Sequence, residues 1–157
     1  MRLVVFLVMA YAALAQKYAG PVPEKADLPY LVQADNLIPT EAATAQEQKG
    51  KKKDETLYAI AGAASPAKTP LASPIFLLKA KDLVPEKLEL YKLDVKNGRR
   101  EILIRTGKKS KSPESLRLDV KRVNDDLVRL EVGVSLANGE YSISPQGSND
   151  VFCFSVF

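Results

Sequence analysis

Three groups of residues in this chain have types and spacings that chemistry can use. Ser65-Pro-Ala-Lys68 has the Ser-x-x-Lys spacing, in which a lysine amine takes the serine proton when the two stand on successive turns of a helix. Here Pro66, Pro70 and Pro74 crowd the same stretch, and proline removes the donors that a helix needs. No Ser-Asp-Asn or Lys-Thr-Gly companion follows, so the segment reads as a connecting loop. The second group is carboxylates. Glu89, Asp94, Glu101, Asp119 and Glu131 are candidate acids for glycoside hydrolysis, which needs two of them facing one cleft. Each alternates with apolar neighbours and is expected on a solvated sheet face. The third group is basic: Lys49, Lys51, Lys52 and Lys53 at one turn, Lys96, Arg99 and Arg100 at another. Two such tips at one end of a sheet make a cationic edge for a phosphate- or carboxylate-rich polymer.

What is missing narrows the chemistry further. There is no His and a single Cys, which removes the commonest general base and rules out an internal disulfide or a Cys-rich metal site. Cys153, set in Phe152-Cys-Phe154, has no imidazole to activate it and is expected as a small buried hydrophobe. Asn124-Asp125-Asp126 and Ser148-Asn149-Asp150 lack EF-hand spacing and read as turns. No cofactor, no metal and no catalytic residue is expected. The 23 Lys and Arg against 19 Asp and Glu leave a formal charge of +4, too mild a bias to imply nucleic acid.

The elements that must position these residues are strands. Val128, Leu130, Val132, Val134 and Leu136 alternate with polar or small residues, the period-2 pattern of a half-buried strand. Leu116, Leu118 and Val120 do the same, and Asn124-Asp125-Asp126 between the two runs predicts a hairpin. Tyr91, Leu93 and Val95 lead into Asn97-Gly98, with Ile102 and Ile104 beyond; Asn-Gly is the strongest short hairpin signal, because a type I′ turn needs positive φ at both central residues. Asn138-Gly139 predicts a second such turn. Val151–Phe157 is apolar on both faces and predicts a central strand. No window holds helical periodicity over three turns.

An internal echo organises the rest. Residues 30–39 and 76–85 align without a gap at an offset of 46, sharing Leu31/Leu77, Ala34/Ala80, Leu37/Leu83 and Pro39/Pro85. Each is followed by an expected hairpin, 40–48 to 54–62 and 86–96 to 99–107, so two similar units are expected over 29–62 and 74–107. Ahead of them, Arg2, the apolar run 3–12 and Ala13-Leu-Ala15 form a signal-peptide pattern with cleavage before Gln16. Residues 1–15 are therefore expected as a leader, 16–27 as a linker or N-terminal arm, and 28–157 as one domain. That predicts an exported protein, periplasmic or extracellular, with no membrane span after cleavage.

Many short strands and almost no helix predict an all-β, antiparallel β-sandwich, Ig-like or related, of seven to nine strands. The end of the chain, where Leu136 precedes Gly139-Glu140-Tyr141 and the chain closes through Phe152-Cys-Phe154, resembles small secreted bacterial β-sandwich proteins, a group with no assigned activity. Asn138 stands where those proteins more often have Pro. The resemblance implies a fold and an exported location, and it implies no site. Together these readings predict a non-enzymatic module that presents a surface. Its expected partner is an anionic envelope polymer or another envelope protein. A carboxylate-based polysaccharide hydrolase is the alternative. A small outer-membrane barrel is a further one, since such barrels often end in Phe and the last residue here is Phe157.

Overall fold

The alternating segments fold as the pattern requires, because side chains at i and i+2 share a sheet face and bury together. The computed structural model describes residues 17–107 and 111–157; the leader expected over 1–15 lies outside the described residues. Thirteen short strands are present among them, more than the seven to nine expected. They are β1 (Tyr30–Gln33), β2 (Asn36–Pro39), β3 (Glu41–Thr44), β4 (Gln46–Lys49), β5 (Glu55–Ala61), β6 (Lys68–Thr69), β7 (Ile75–Lys79), β8 (Leu88–Lys96), β9 (Arg99–Arg105), β10 (Leu118–Arg122), β11 (Leu127–Val132), β12 (Gly139–Pro145) and β13 (Asp150–Val156). One 3₁₀ turn, Pro85–Lys87, precedes β8.

The strands form two sheets in a sandwich-like arrangement, antiparallel except where β6 lies parallel to β13. The smaller sheet runs β10-β11-β7-β1-β2, and the larger runs β3-β13-β12-β8-β9-β5-β4. Its two end strands are consecutive in sequence, separated only by Ala45, whose N–H donates to the Asn149 carbonyl at 2.8 Å. The run 41–49 thus pairs first with β13 and then with β5, so the larger sheet curls until its ends meet. Closing a sheet on itself removes its unpaired edges.

The curl creates two cores. Between the sheets lie Leu31, Phe76, Leu78, Leu90, Val128, Leu130, Tyr141, Ile143, Phe152 and Phe154. Inside the curl lie Ala45, Ile60, Leu93, Val151 and Cys153. Strand β13 serves both, with Phe152 and Phe154 on one face and Val151 and Cys153 on the other, which explains why its sequence is apolar throughout.

Three of the four expected hairpins form, among them β4 with β5. β10 pairs with β11 in the register Val120↔Leu130, and β8 pairs with β9 as Val95↔Arg100. Asn97 and Gly98 have φ of 51° and 72°, as a type I′ turn demands. The segments aligned at an offset of 46 are spatial neighbours. Strand β1 pairs with β7, and β5 pairs with β9 with Leu57 directly opposite Leu103.

Asn138-Gly139 is a correction. Asn138 does not have the positive φ that Asn97 has, and β11 and β12 do not pair. The chain between them crosses from the smaller sheet to the larger one. Leu136 is buried, its N–H donates to the Ala72 carbonyl at 2.7 Å, and the Tyr141 hydroxyl donates back to the Ala137 carbonyl at 2.7 Å. That backward bond is the geometry of a tyrosine corner, which pins a crossover in β-sandwiches. Tyr141→Phe keeps the ring and removes only this bond. It is expected to lower stability by about 1 kcal/mol, read as a lower urea midpoint at unchanged slope.

Candidate functional site

The β5–β9 pair presents two different surfaces, because alternate residues point to opposite faces. On the outer face, Leu57 and Leu103 lie among the linings of a hollow of about 660 Å³. Lys49, Lys51 and Lys52 enter it from the 49–55 turn, and Lys96 and Arg99 from the turn between β8 and β9. The turn carrying the first three is tied down by the Gly50 N–H donating to the Glu55 carbonyl at 2.8 Å. Arg105 completes the cations, against three carboxylates, Glu55, Asp94 and Glu101. Arg99 Nε lies 3.1 Å from Glu101, Lys96 Nζ 3.4 Å from Asp94, and Arg105 Nε 3.1 Å from Glu55. The Arg105 hydrogen bond holds the Glu55 carboxyl below its ordinary value. The structure thus brings together five of the seven basic residues singled out by sequence. Lys53 is exposed on the same turn and outside the lining.

Arg100 goes elsewhere. It shares the inner face with Ile102 and Ile104, and its side chain is 0% exposed. Its Nη1 and Nη2 donate to the two carboxylate oxygens of Glu41 at 2.6 and 2.9 Å. Nε and Nη2 donate to the carbonyls of Gly62 and Ala61 at 2.9 and 2.6 Å. Glu140 lies 4.0 Å away and accepts from the Ser155 hydroxyl and the Ser65 N–H. Arg100 therefore belongs to a buried charge network inside the curled sheet, not to the cationic edge. The Arg100 hydrogen bond lowers the Glu41 pKa, and the guanidinium is held charged by the same bond.

Beyond this network the inner face opens into a cavity of about 260 Å³. It exists because β8 divides its partners: its first part pairs with β12 and its last three residues with β9. The two strands splay apart before reaching Glu89 and Ile104. Leu116 donates to the Leu90 carbonyl at 2.7 Å on this free edge of β8. One wall carries Tyr58, Ile60, Ile102 and Ile104; the other carries Glu89, Tyr91, Leu93, Ser142 and Ser144. Ala45, with its single methyl group, lines the space as well.

No family model matches this chain. Neither a curated protein nor a solved structure matches it.

Ser65 is buried, with its hydroxyl donating to the Cys153 carbonyl at 3.1 Å, and Lys68 is an exposed residue of β6. The Ser-x-x-Lys spacing falls on loop and strand, as its prolines predict. Cys153 is a free, buried thiol, pushed up to about 12 chiefly by burial. The five candidate carboxylates do not meet in one cleft: Asp94 and Glu101 alone share a concavity, and each is ion-paired there. Glu89 is the only acid lining the inner cavity, Asp94 and Glu101 line the outer hollow, Asp119 pairs with Arg117, and Glu131 pairs with Lys121 and Arg129. Glu101 lies on the outer face but is buried there by its neighbours, and Glu89 is half-buried on the inner face, so neither is solvated as expected. Among the described residues no group of three or more His, Cys, Asp or Glu is placed to hold a metal ion.

Proposed function

We propose that this protein is an exported, non-catalytic β-sandwich module that binds an anionic envelope polymer through the outer hollow. The observation that carries this reading is the convergence of two separate turns on one concavity. Lys49, Lys51 and Lys52 arrive from one and Lys96 and Arg99 from the other. Cations that share a concave surface add their fields, so a polyanion meets several at once. Lys49, Lys51 and Lys53 make no ion pair among the described residues. The Leu57–Leu103 pair gives the hollow an apolar component against which a sugar or acyl face can rest.

Export rests on the leader pattern at residues 1–15 and on the resemblance of the chain's end to secreted sandwiches. The same face argues against lipid. Glu55, Arg99, Glu101 and Arg105 point outward from β5 and β9, whereas a membrane barrel needs an apolar band there. No helix of the described residues is long and apolar enough to cross a membrane. For a paired-carboxylate hydrolase the inner cavity offers a single acid, and the three carboxylates of the outer hollow, Glu55, Asp94 and Glu101, are each ion-paired with a Lys or Arg.

Heparin serves as the polyanion probe. The variant Lys49→Gln/Lys51→Gln/Lys52→Gln/Lys53→Gln is expected to bind it roughly tenfold more weakly at low salt. Its retention on a heparin column should fall accordingly, with an unchanged melting temperature. Equal retention of the variant and the wild type removes this reading.

A further inference from the structure

The inner cavity is physically independent of the outer hollow, although both are built on β5 and β9. Its walls are mostly apolar, yet one carboxylate, Glu89, stands in them with no Lys or Arg among the lining residues. Glu89 accepts from the Tyr91 hydroxyl at 2.8 Å and from the Gln146 side-chain amide at 2.9 Å. Both donors are neutral. Burial and the neighbouring carboxylate raise the Tyr91 hydroxyl to about 12, so it remains a donor at any physiological pH. Each carboxylate oxygen has further acceptor capacity, and among the described residues no cation answers its charge. Glu41, Glu55, Glu101, Asp119, Glu131 and Glu140 each have an Arg or Lys within 4.0 Å, and half-buried Asp27, which forms no ion pair, accepts instead from the backbone N–H groups of Lys81, Asp82 and Leu83. Glu89 has neither a cation nor a backbone donor among the described residues.

We propose that this cavity binds a small primary amine with an apolar body, its ammonium paired with Glu89 and its body among Tyr58, Ile102 and Ile104. The ammonium is the group that supplies both what Glu89 lacks and several N–H donors in one atom. Ser142 and Ser144, on the wall that carries Glu89, offer hydroxyl oxygens for the remaining N–H groups. Size sets the body. An apolar cavity of about 150 Å³ takes one benzene ring, so 260 Å³ takes a ring with a short chain.

Phenethylamine, 2-phenylethanol and phenylacetate have nearly the same shape and differ in charge at one end. Titrated calorimetrically into the full chain, the amine is expected to bind at least about tenfold more tightly than the alcohol, with phenylacetate not detected. Glu89→Gln is expected to bring the amine down to the alcohol's affinity and leave the alcohol where it was. Ser144→Phe fills the space and should abolish both at an unchanged melting temperature. Alcohol bound as tightly as amine, an amine preference that survives Glu89→Gln, or no binding of any probe at millimolar concentration would each overturn the proposal. None of these outcomes depends on the outer lysines, so the polyanion reading stands or falls separately.

Discussion

Replacing Arg100 with methionine is expected to destabilise the protein by about 3–5 kcal/mol, the cost of leaving buried carboxylates without their counter-charge. The guanidinium makes four hydrogen bonds, a bidentate pair to Glu41 and one each to the Gly62 and Ala61 carbonyls. Lysine cannot replace this, because an ammonium cannot form the planar fork, so Arg100→Lys should fall nearer to methionine than to wild type. The pH dependence carries the sharper signature. With Arg100 present, the Glu41 pKa lies below its ordinary value, chiefly through the Arg100 hydrogen bond. Such a group stabilises the fold fully above the unfolded pKa, and the contribution is lost as pH falls through the lowered one. With Arg100 gone, burial outweighs the remaining Ser65 hydrogen bond and raises the folded pKa instead, so the variant gains stability as pH falls from neutrality toward about 4.3. Across that range urea midpoints should rise for the variant as pH falls and stay level for the wild type, whose Glu41 contribution is lost only at lower pH. Adding Glu41→Gln and Glu140→Gln to Arg100→Met should recover much of the loss, since a fully neutral core needs no counter-ion. An Arg100→Met variant with a wild-type midpoint at pH 7 would show that the network contributes nothing.

This network also marks where local sequence reading stopped. Hairpins β8–β9 and β10–β11 were legible because everything that defines them is local: alternation on each strand and turn residues with the φ the turn requires. The inward direction of Arg100 was legible by the same period. It has the parity of Ile102 and Ile104, not that of Arg99 and Glu101. Its proximity to the β8–β9 turn tip is a competing signal, and the parity is the one that holds. Which acid answers it was not legible, because Glu41 and Glu140 reach it only through pairings set by the closed sheet.

The curl itself had no local signal. Residues 41–49 read Glu-Ala-Ala-Thr-Ala-Gln-Glu-Gln-Lys, with no apolar stripe, and β4 is exposed along its whole length. The segment is a strand because β13 and β5 each offer it a free edge, a tertiary cause that propensity does not see. Ala43 and Ala45 face the curled interior, so the interior is left with space rather than filled. The same two features produce the inner cavity, which is why no residue pattern announced it. The Asn138-Gly139 turn failed for a related reason: burial of Leu136 and the Tyr141 hydrogen bond fix the path there, and they override a dipeptide preference.

Phe154→Ala is expected to have an effect as large as the loss of Arg100, for a different physical reason. Phe154 is fully buried between the sheets, stacked on Tyr141 with centroids 5.5 Å apart and edge-on to Phe76 at 5.0 Å. Phe76 belongs to the smaller sheet and the other two to the larger, so this trio is where the layers touch. Truncation loses the transfer free energy of the ring and leaves a cavity that strands fixed by hydrogen bonds on both edges cannot close, about 3–5 kcal/mol in all. For a domain of this size that corresponds to a fall in melting temperature of roughly 10–15 °C. The loss should be insensitive to pH, which separates it from the Arg100 variant. It should also shrink to about 1.5 kcal/mol or less for Phe154→Leu, which refills most of the space. Phe157, three residues on and 63% exposed, has no such packing, and Phe157→Ala should leave the melting temperature unchanged. Equal effects at 154 and 157 would mean that the two sheets are not joined through this ring.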